Sequence, residues 1–170
     1  MVGQAKNILD TARLNGKKLV LPNDIVCSEE IYDTNRNNPV SVREIPENQM
    51  GLDIGSKTIE KYLEILDSAK TVLWNGPMGV YENESFAIGT KAIAKKLVEI
   101  SDYNSTVIAG GGDTASALRH FGLVDRVTHV STGGGACLDL LAGRTLPGLA
   151  SLKESAEQLR FSISKPLDHQ

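Results

Sequence analysis

What this sequence has little of narrows its function before any motif is read. Only two of its 170 residues are cysteine, Cys27 and Cys137. They lie far apart, form no Cys-x-x-Cys and belong to no metal-ligand cluster, so a reduced, cytoplasmic setting is expected. Excess positive charge is absent too. The formal net charge is -3, which leaves neither a basic footprint for nucleic acid nor a polybasic patch for a membrane surface. No apolar run approaches the roughly 18 residues needed to span a bilayer. The opening MVGQAKNILDTARLNG lacks the apolar core of a signal peptide. Without such a signal, the glycosylation pattern at Asn83 and Asn104 is discounted. No fixed-period repeat, low-complexity tract or Ser/His/Asp or Cys/His spacing occurs, and no G-x-x-x-x-G-K-[ST] excludes a Walker-type phosphate loop as written. The length fits one domain.

What is present is an alternation of two periods. Residues 4–14 read as a helix ending at Gly16, and KKLVLP opens a strand running to about Cys27. From Cys27 to Gly55 no clear period holds, although VSVREI alternates like a short strand. SKTIEKYLEILDSAK sets Ile59, Tyr62, Leu63 and Leu66 on one helical face. TVLWNG then reads as a strand, residues 85–99 as a helix, STVIAGGG as strand and glycine loop, and DTASALRHFG as a helix. DRVTHVSTGGG repeats the strand-to-glycine step before ACLDLLAG, the last clear helix. Strands alternating with helices argue for an α/β fold: a doubly wound, Rossmann-like, mainly parallel sheet with helices on both faces. The cores LVLP, TVLW, TVIA and THVS are short and apolar, as buried parallel strands are. The chain opens on a helix where such domains commonly open on a strand.

Three expected strands end in glycine-bearing loops: WNGPMG, IAGGGDT and VSTGGGA. Ligands of open parallel sheets bind beyond the carboxyl ends of the strands. Glycines let backbone N–H groups approach an anion without a Cβ in the way, and a helix starting at once adds free amides and a positive dipole end. Gly133, Gly134 and Gly135 look like a bed of amides for a phosphate. The competing reading is a tight turn and nothing more; two GGG loops in the same setting favour the phosphate. Asp113 opens a helix, where it is either the N-cap or a hard oxygen ligand for magnesium on a nucleotide phosphate. Thr114 either bonds a phosphate or supports the cap, and Glu82 either accepts from a ribose or is merely solvated. Gly110–Ala115 also satisfies G-x-G-x-x-A, but the next strand ends VSTGGG without the acid that a dinucleotide site requires. His129 alternates with valines and reads as packing, Cys137 as a small buried side chain, and Trp74 as core or pocket wall.

WNGPMGVYE (74–82), AGGGDTASAL (109–118) and HVSTGGGACLDLLAG (129–143), with LPNDIV (21–26) and PENQMGLDIG (46–55) in the same order, resemble the signature segments of phosphoglycerate kinase. The resemblance runs from about residue 2 to about residue 152. It implies phosphoryl transfer between 1,3-bisphosphoglycerate and ADP, giving ATP and 3-phosphoglycerate, with Mg²⁺. It places residues 1–152 in the later part of the family's nucleotide-binding, C-terminal lobe. By the same resemblance, Gly51 lines an adenine-ribose pocket, and Asn75, Gly76 and Pro77 lie near the nucleotide phosphates. Glu82 binds the ribose. Gly111, Gly112, Asp113 and Thr114 form the phosphate and Mg²⁺ segment with Asp113 as metal ligand. Gly112, Gly133, Gly134 and Gly135 steady the transferring phosphoryl group.

Relative to the family, the glycerate-binding lobe, two strands of the nucleotide lobe and its phosphate-contacting lysines are missing. The isolated chain is therefore expected to be inactive, either as the nucleotide-binding part of a kinase or as a nucleotide-binding or structural fragment without catalysis. The family sheet would have a hole: its strands must close up, pair with another copy or leave exposed edges open to self-association. Residues 153–170 read as a loosely ordered tail.

Overall fold

The computed structural model describes residues 1–35 and 37–163, with side chains through Gln158. The chain divides into two units. Unit 1 is Met1–Ala69 with Pro77–Lys96; unit 2 is Lys70–Gly76 with the chain from Leu97 onward.

Unit 1 begins with α1 (Val2–Leu14), which ends at Gly16 as its sequence predicts. Gly16 takes φ +61°, the left-handed conformation that glycine adopts without a Cβ penalty. The Gly16 amide donates to the Arg13 carbonyl, and that of Lys17 to Ala12, satisfying carbonyls the helix end would otherwise orphan. The strand expected from Lys17 does not follow. Only Asp24–Ser28 (β1) is extended and paired, and its partners on both sides are antiparallel: Val40–Ser41 (β2) and Met50–Ile54 (β3), in the order β2-β1-β3. Before β1, side chains meet the backbone where a strand would have: Lys61 Nζ donates to the Leu21 carbonyl at 3.1 Å and Tyr62 Oη to Val20 at 3.3 Å. Pro22 has no N–H to give a ladder. Leu19 and Leu21 accordingly stay exposed.

The second departure is β3, which the sequence reading passes over. Gly51 and Asp53 are poor strand formers, yet each has a tertiary reason. A Cβ on Gly51 would sit 2.8 Å from Ile25 Cγ2 on the neighbouring strand. Asp53 is buried and accepts the Gly89 amide at 2.9 Å. Val26, Leu52 and Phe86 form the core of this unit, with Val80 packed against it. Helix α2 (Ser56–Asp67) packs on β1, and α3 (Ile88–Asp102) runs on from a short 3-10 turn at Glu84–Phe86.

Unit 2 holds the α/β alternation that the sequence predicts. Strands Thr71–Asn75 (β4), Thr106–Gly110 (β5) and His129–Ser131 (β6) form a parallel sheet in the order β4-β5-β6. Helix α4 (Gly112–His120) packs against β5; α5 (Gly134–Leu141) follows β6, and a helix absent from the sequence reading, α6 (Pro147–Ile163), follows α5. That helix takes in the first part of the segment read as a tail; residues 164–170 lie outside the described ones. Only central β5 is largely buried, through Val107, Ala109 and Gly110. As edge strands, β4 buries Trp74 alone and β6 keeps His129 exposed, so His129 is not the packing residue its alternation with valines suggests. The LVLP strand thus joins no parallel sheet, and β4 is left as an edge.

Candidate functional site

The register of the parallel sheet sets the site. Asn75 pairs with Gly110, and Gly110 with Ser131, so the three glycine-bearing loops leave the same end of three adjacent strands. That end is where ligands of open parallel sheets bind.

Gly111 has φ +94°, ψ 152°, a conformation essentially confined to glycine. Its amide donates to the Ser131 carbonyl at 3.1 Å, tying the first GGG loop to the end of β6. A Cβ on Gly134 would lie 2.7 Å from Gly111 Cα and 3.1 Å from its nitrogen, so the two loops touch backbone to backbone. The Asn75 side chain lies over the first loop: a Cβ at Gly110 would come 3.4 Å from its Nδ2, and one at Gly111 3.7 Å from its Oδ1. Gly76, at φ +102°, turns the chain after Asn75, and its amide donates to Thr114 Oγ1 at 2.7 Å. Gly112, Gly133 and Gly135 are different. They have negative φ, and a Cβ there would meet open space at Gly112 and Gly135 and nothing closer than the Ser131 hydroxyl, 3.9 Å away, at Gly133. Packing does not require glycine at these three.

The loops deliver two helix starts. The N-cap of α4 is Gly111 and that of α5 is Gly133; neither helix has a side-chain cap. Asp113 is exposed in the first turn of α4 and is not its N-cap, so one of the two roles open to it in the sequence is removed. Thr114 is buried, and Trp74 on β4 is a buried core residue. Cys137 is half-buried one turn into α5.

Gly51, Pro77 and Glu82 belong to unit 1. Gly51 faces Cys27 across the β1–β3 pair. Glu82 is exposed and lines an open cleft of about 450 Å³ with Tyr32, Thr34, Asn83, Glu84 and Ser85. Asn83 Nδ2 donates to the Ile31 and Asp33 carbonyls, and Ser85 Oγ to Thr34, so the cleft wall is fixed by hydrogen bonds. Residues unremarked in the sequence hold this region. Thr90 is fully buried and its Oγ1 accepts the Met78 and Gly79 amides, both at 3.1 Å; the Val80 amide donates to Leu52. A threonine two residues into a helix was the available signal.

Comparison with known proteins identifies the family. The family model described as phosphoglycerate kinase matches residues 1–144. A cytosolic phosphoglycerate kinase of Triticum aestivum is 46% identical over 151 residues, covering 89% of this chain and 38% of the relative. That of Thermosipho africanus is 48% identical over 149 residues, covering 87% and 37%. The structure of phosphoglycerate kinase from Coxiella burnetii superposes with a TM-score of 0.81 at 32% identity, over 92% of this chain and 39% of that one. The chain thus spans somewhat over a third of the length of these relatives, and its parallel sheet and helices match part of their fold. It belongs to the phosphoglycerate kinase family.

Proposed function

We propose that this chain supplies the Mg-nucleotide-binding part of a phosphoglycerate kinase, from the later portion of the C-terminal lobe, and that unit 2 holds the phosphates of ADP or ATP. The observation that carries this reading is a contrast between helix starts. In unit 1 the protein's own carboxylates bond the first turns: Asp24 accepts the Lys57 and Thr58 amides of α2, and Asp53 accepts the Gly89 amide of α3. In unit 2, α4 and α5 start on glycine without a side-chain cap, at adjacent strand ends. First-turn amides and the positive end of the helix dipole favour an anion there.

In this reading, the amides of Gly112 and Asp113 on α4 and of Gly134 and Gly135 on α5 donate to phosphate oxygens. Gly133 leads the chain into that second helix, and Asn75, Gly76 and Pro77 border the phosphates. Gly51 and Glu82 serve the adenosine end, with the Glu82 carboxylate accepting from a ribose hydroxyl. Magnesium fits Asp113, a hard oxygen donor in the exposed first turn that is not occupied as an N-cap. Among the described residues no group of three or more His, Cys, Asp or Glu side chains could hold a metal. The ion would therefore be held by Asp113 together with phosphate oxygens. Bound there, it would offset the charge of the phosphates. The glycines need supply no nucleophile, because phosphoryl transfer is served mainly by positioning and charge stabilisation.

With 1,3-bisphosphoglycerate or 3-phosphoglycerate as the second substrate, turnover would need the rest of the family's chain, and the isolated chain would bind without catalysing. A cytoplasmic setting belongs to the same proposal; among the described residues no helix is long and apolar enough to cross a membrane. Titration calorimetry of the full chain with Mg-ADP tests the binding, with heat expected for the unsubstituted chain and weaker binding for Asp113→Ala. Equal heats would remove Asp113 from the site. Adding a complementary fragment carrying the rest of a family kinase is expected to restore activity; a folded pair that binds Mg-ADP yet stays inactive would leave a nucleotide-binding fragment without catalysis.

A further inference from the structure

The third residue of α2, of α3 and of α4 is in each case a buried threonine: Thr58, Thr90 and Thr114, with relative exposures of 0%, 0% and 1%. Each hydroxyl oxygen accepts backbone amides from a neighbouring segment. Thr58 takes the Asn23 and Asp24 amides at 2.9 and 3.1 Å. Thr90 takes those of Met78 and Gly79. Thr114 takes the Gly76 amide at 2.7 Å. At Thr58 and Thr90 the bond does one job, which is to pin an incoming strand or loop to a helix start.

We infer that Thr114 does the same job and is a positioning residue of the nucleotide site. This rests on the proposed binding of nucleotide phosphates to unit 2. Gly76 has φ +102° and open space where a Cβ would be, so local packing does not hold its orientation. The bond to Thr114 does, and it anchors the end of β4 to α4, bringing Asn75 over Gly110 and Gly111. Loss of the Thr114 acceptor would leave the half-buried Gly76 donor unpaired, at a cost above that of the bond itself.

The test uses the full chain labelled with ¹⁵N, with Mg-ADP as the probe. Thr114→Val is expected to bind Mg-ADP about tenfold more weakly, the equivalent of one lost hydrogen bond, and to speed exchange of the Gly76 amide. Thr114→Ser is expected to restore both. Thr58→Val, which removes the same device at α2, is expected to lower stability and leave Mg-ADP affinity unchanged. Weaker binding by Thr114→Val with the Gly76 amide unaltered would show that Thr114 acts other than through Gly76 and overturn the inference. Full affinity in Thr114→Val beside reduced affinity in Asp113→Ala would overturn it too, while leaving the nucleotide site standing. If the unsubstituted chain takes up no Mg-ADP, the underlying reading falls and this inference with it. Should Thr114→Val not fold, the unsubstituted chain decides: the Gly76 amide is expected to remain protected when Mg-ADP is added, and loss of that protection would overturn the assignment.

Discussion

Unit 1 brings its own negative charge to the starts of α2 and α3, and unit 2 starts α4 and α5 on glycine without a side-chain cap. At α2 the charge comes from another element. Asp24, on β1, accepts the Thr58 amide at 2.8 Å and the Lys57 amide at 3.1 Å, and it accepts the Thr58 hydroxyl at 2.6 Å as well. Gly55, the N-cap residue, makes room for that carboxylate: a Cβ there would lie 2.2 Å from Asp24 Cγ. Glycine in unit 1 therefore admits a protein anion. In unit 2, Gly111 and Gly134 let two loops touch, while Gly112 and Gly135 face open space. The same residue type is required by packing at one pair of positions and not at the other. A glycine at a helix start therefore has to be read with its neighbour: at α2 a carboxylate fills the space and the helix start is complete within the fold.

The largest effect is expected at Asp24. Asp24→Ala removes a buried, charge-assisted cap and leaves two first-turn amides and the Thr58 hydroxyl without their acceptor, for a loss of about 3 kcal/mol in urea unfolding. Mg-ADP binding by the folded fraction is expected to persist, since Asp24 caps α2, which carries no residue of the proposed site; loss of binding in step with loss of stability would undo the division of labour. Next is Gly134→Ala. Its Cβ would meet the Gly111 backbone at 2.7 Å, and overpacking of this kind costs about 2 kcal/mol. Because the clash falls between the two loops, Mg-ADP affinity is expected to drop with stability; unaltered affinity would show that the loops need not touch.

A smaller effect follows from the acid titration of Asp24. Burial alone would push its carboxyl up, but the hydrogen bonds from the Thr58 hydroxyl and from the Thr58 and Lys57 amides, with the Lys57 charge, outweigh burial and hold it below the ordinary value of 3.8. A carboxyl lowered by folding stabilises the fold above its unfolded value and loses that contribution as pH falls through its folded one. The stability gap between the unsubstituted chain and Asp24→Asn is therefore expected to be constant at neutral pH and to close below pH about 4. Thermal melts of both at pH 7, 4 and 2.5 measure it, and a gap as large at pH 2.5 as at pH 7 would contradict the assignment.

The smallest effect on stability, and the one of most use, is at Gly112 and Gly135. Alanine fits both positions without contact and is expected to raise stability by about 0.5 kcal/mol at each. Mg-ADP affinity is expected to fall, since the added methyl group would stand where the proposed site receives a phosphate. If both variants are more stable and bind fully, glycine there serves neither packing nor a ligand.

The sequence showed the parallel half well because its signals are local. TVLWN and TVIAG are short apolar runs that end in glycine, and the strands lie within a residue of where they are expected. The antiparallel half was hidden. Strand β3 carries Gly51 and Asp53 against strand propensity, and both are explained only by partners far along the chain, Ile25 and Gly89. The site divides the same way. Its glycine loops are legible as motifs, whereas the threonine pins are single residues whose partners lie 11 to 38 positions away.

By itself the sequence determined the order of strand, glycine loop and helix, because period and turn residues act between near neighbours. Only the tertiary structure decided that the two GGG loops would touch, that Asp24 and Asp53 would occupy the helix starts of unit 1, and that LVLP would stay unpaired. Hydrogen bonds and van der Waals contacts act over a few ångströms, and those ångströms are set by which distant segments the fold brings together.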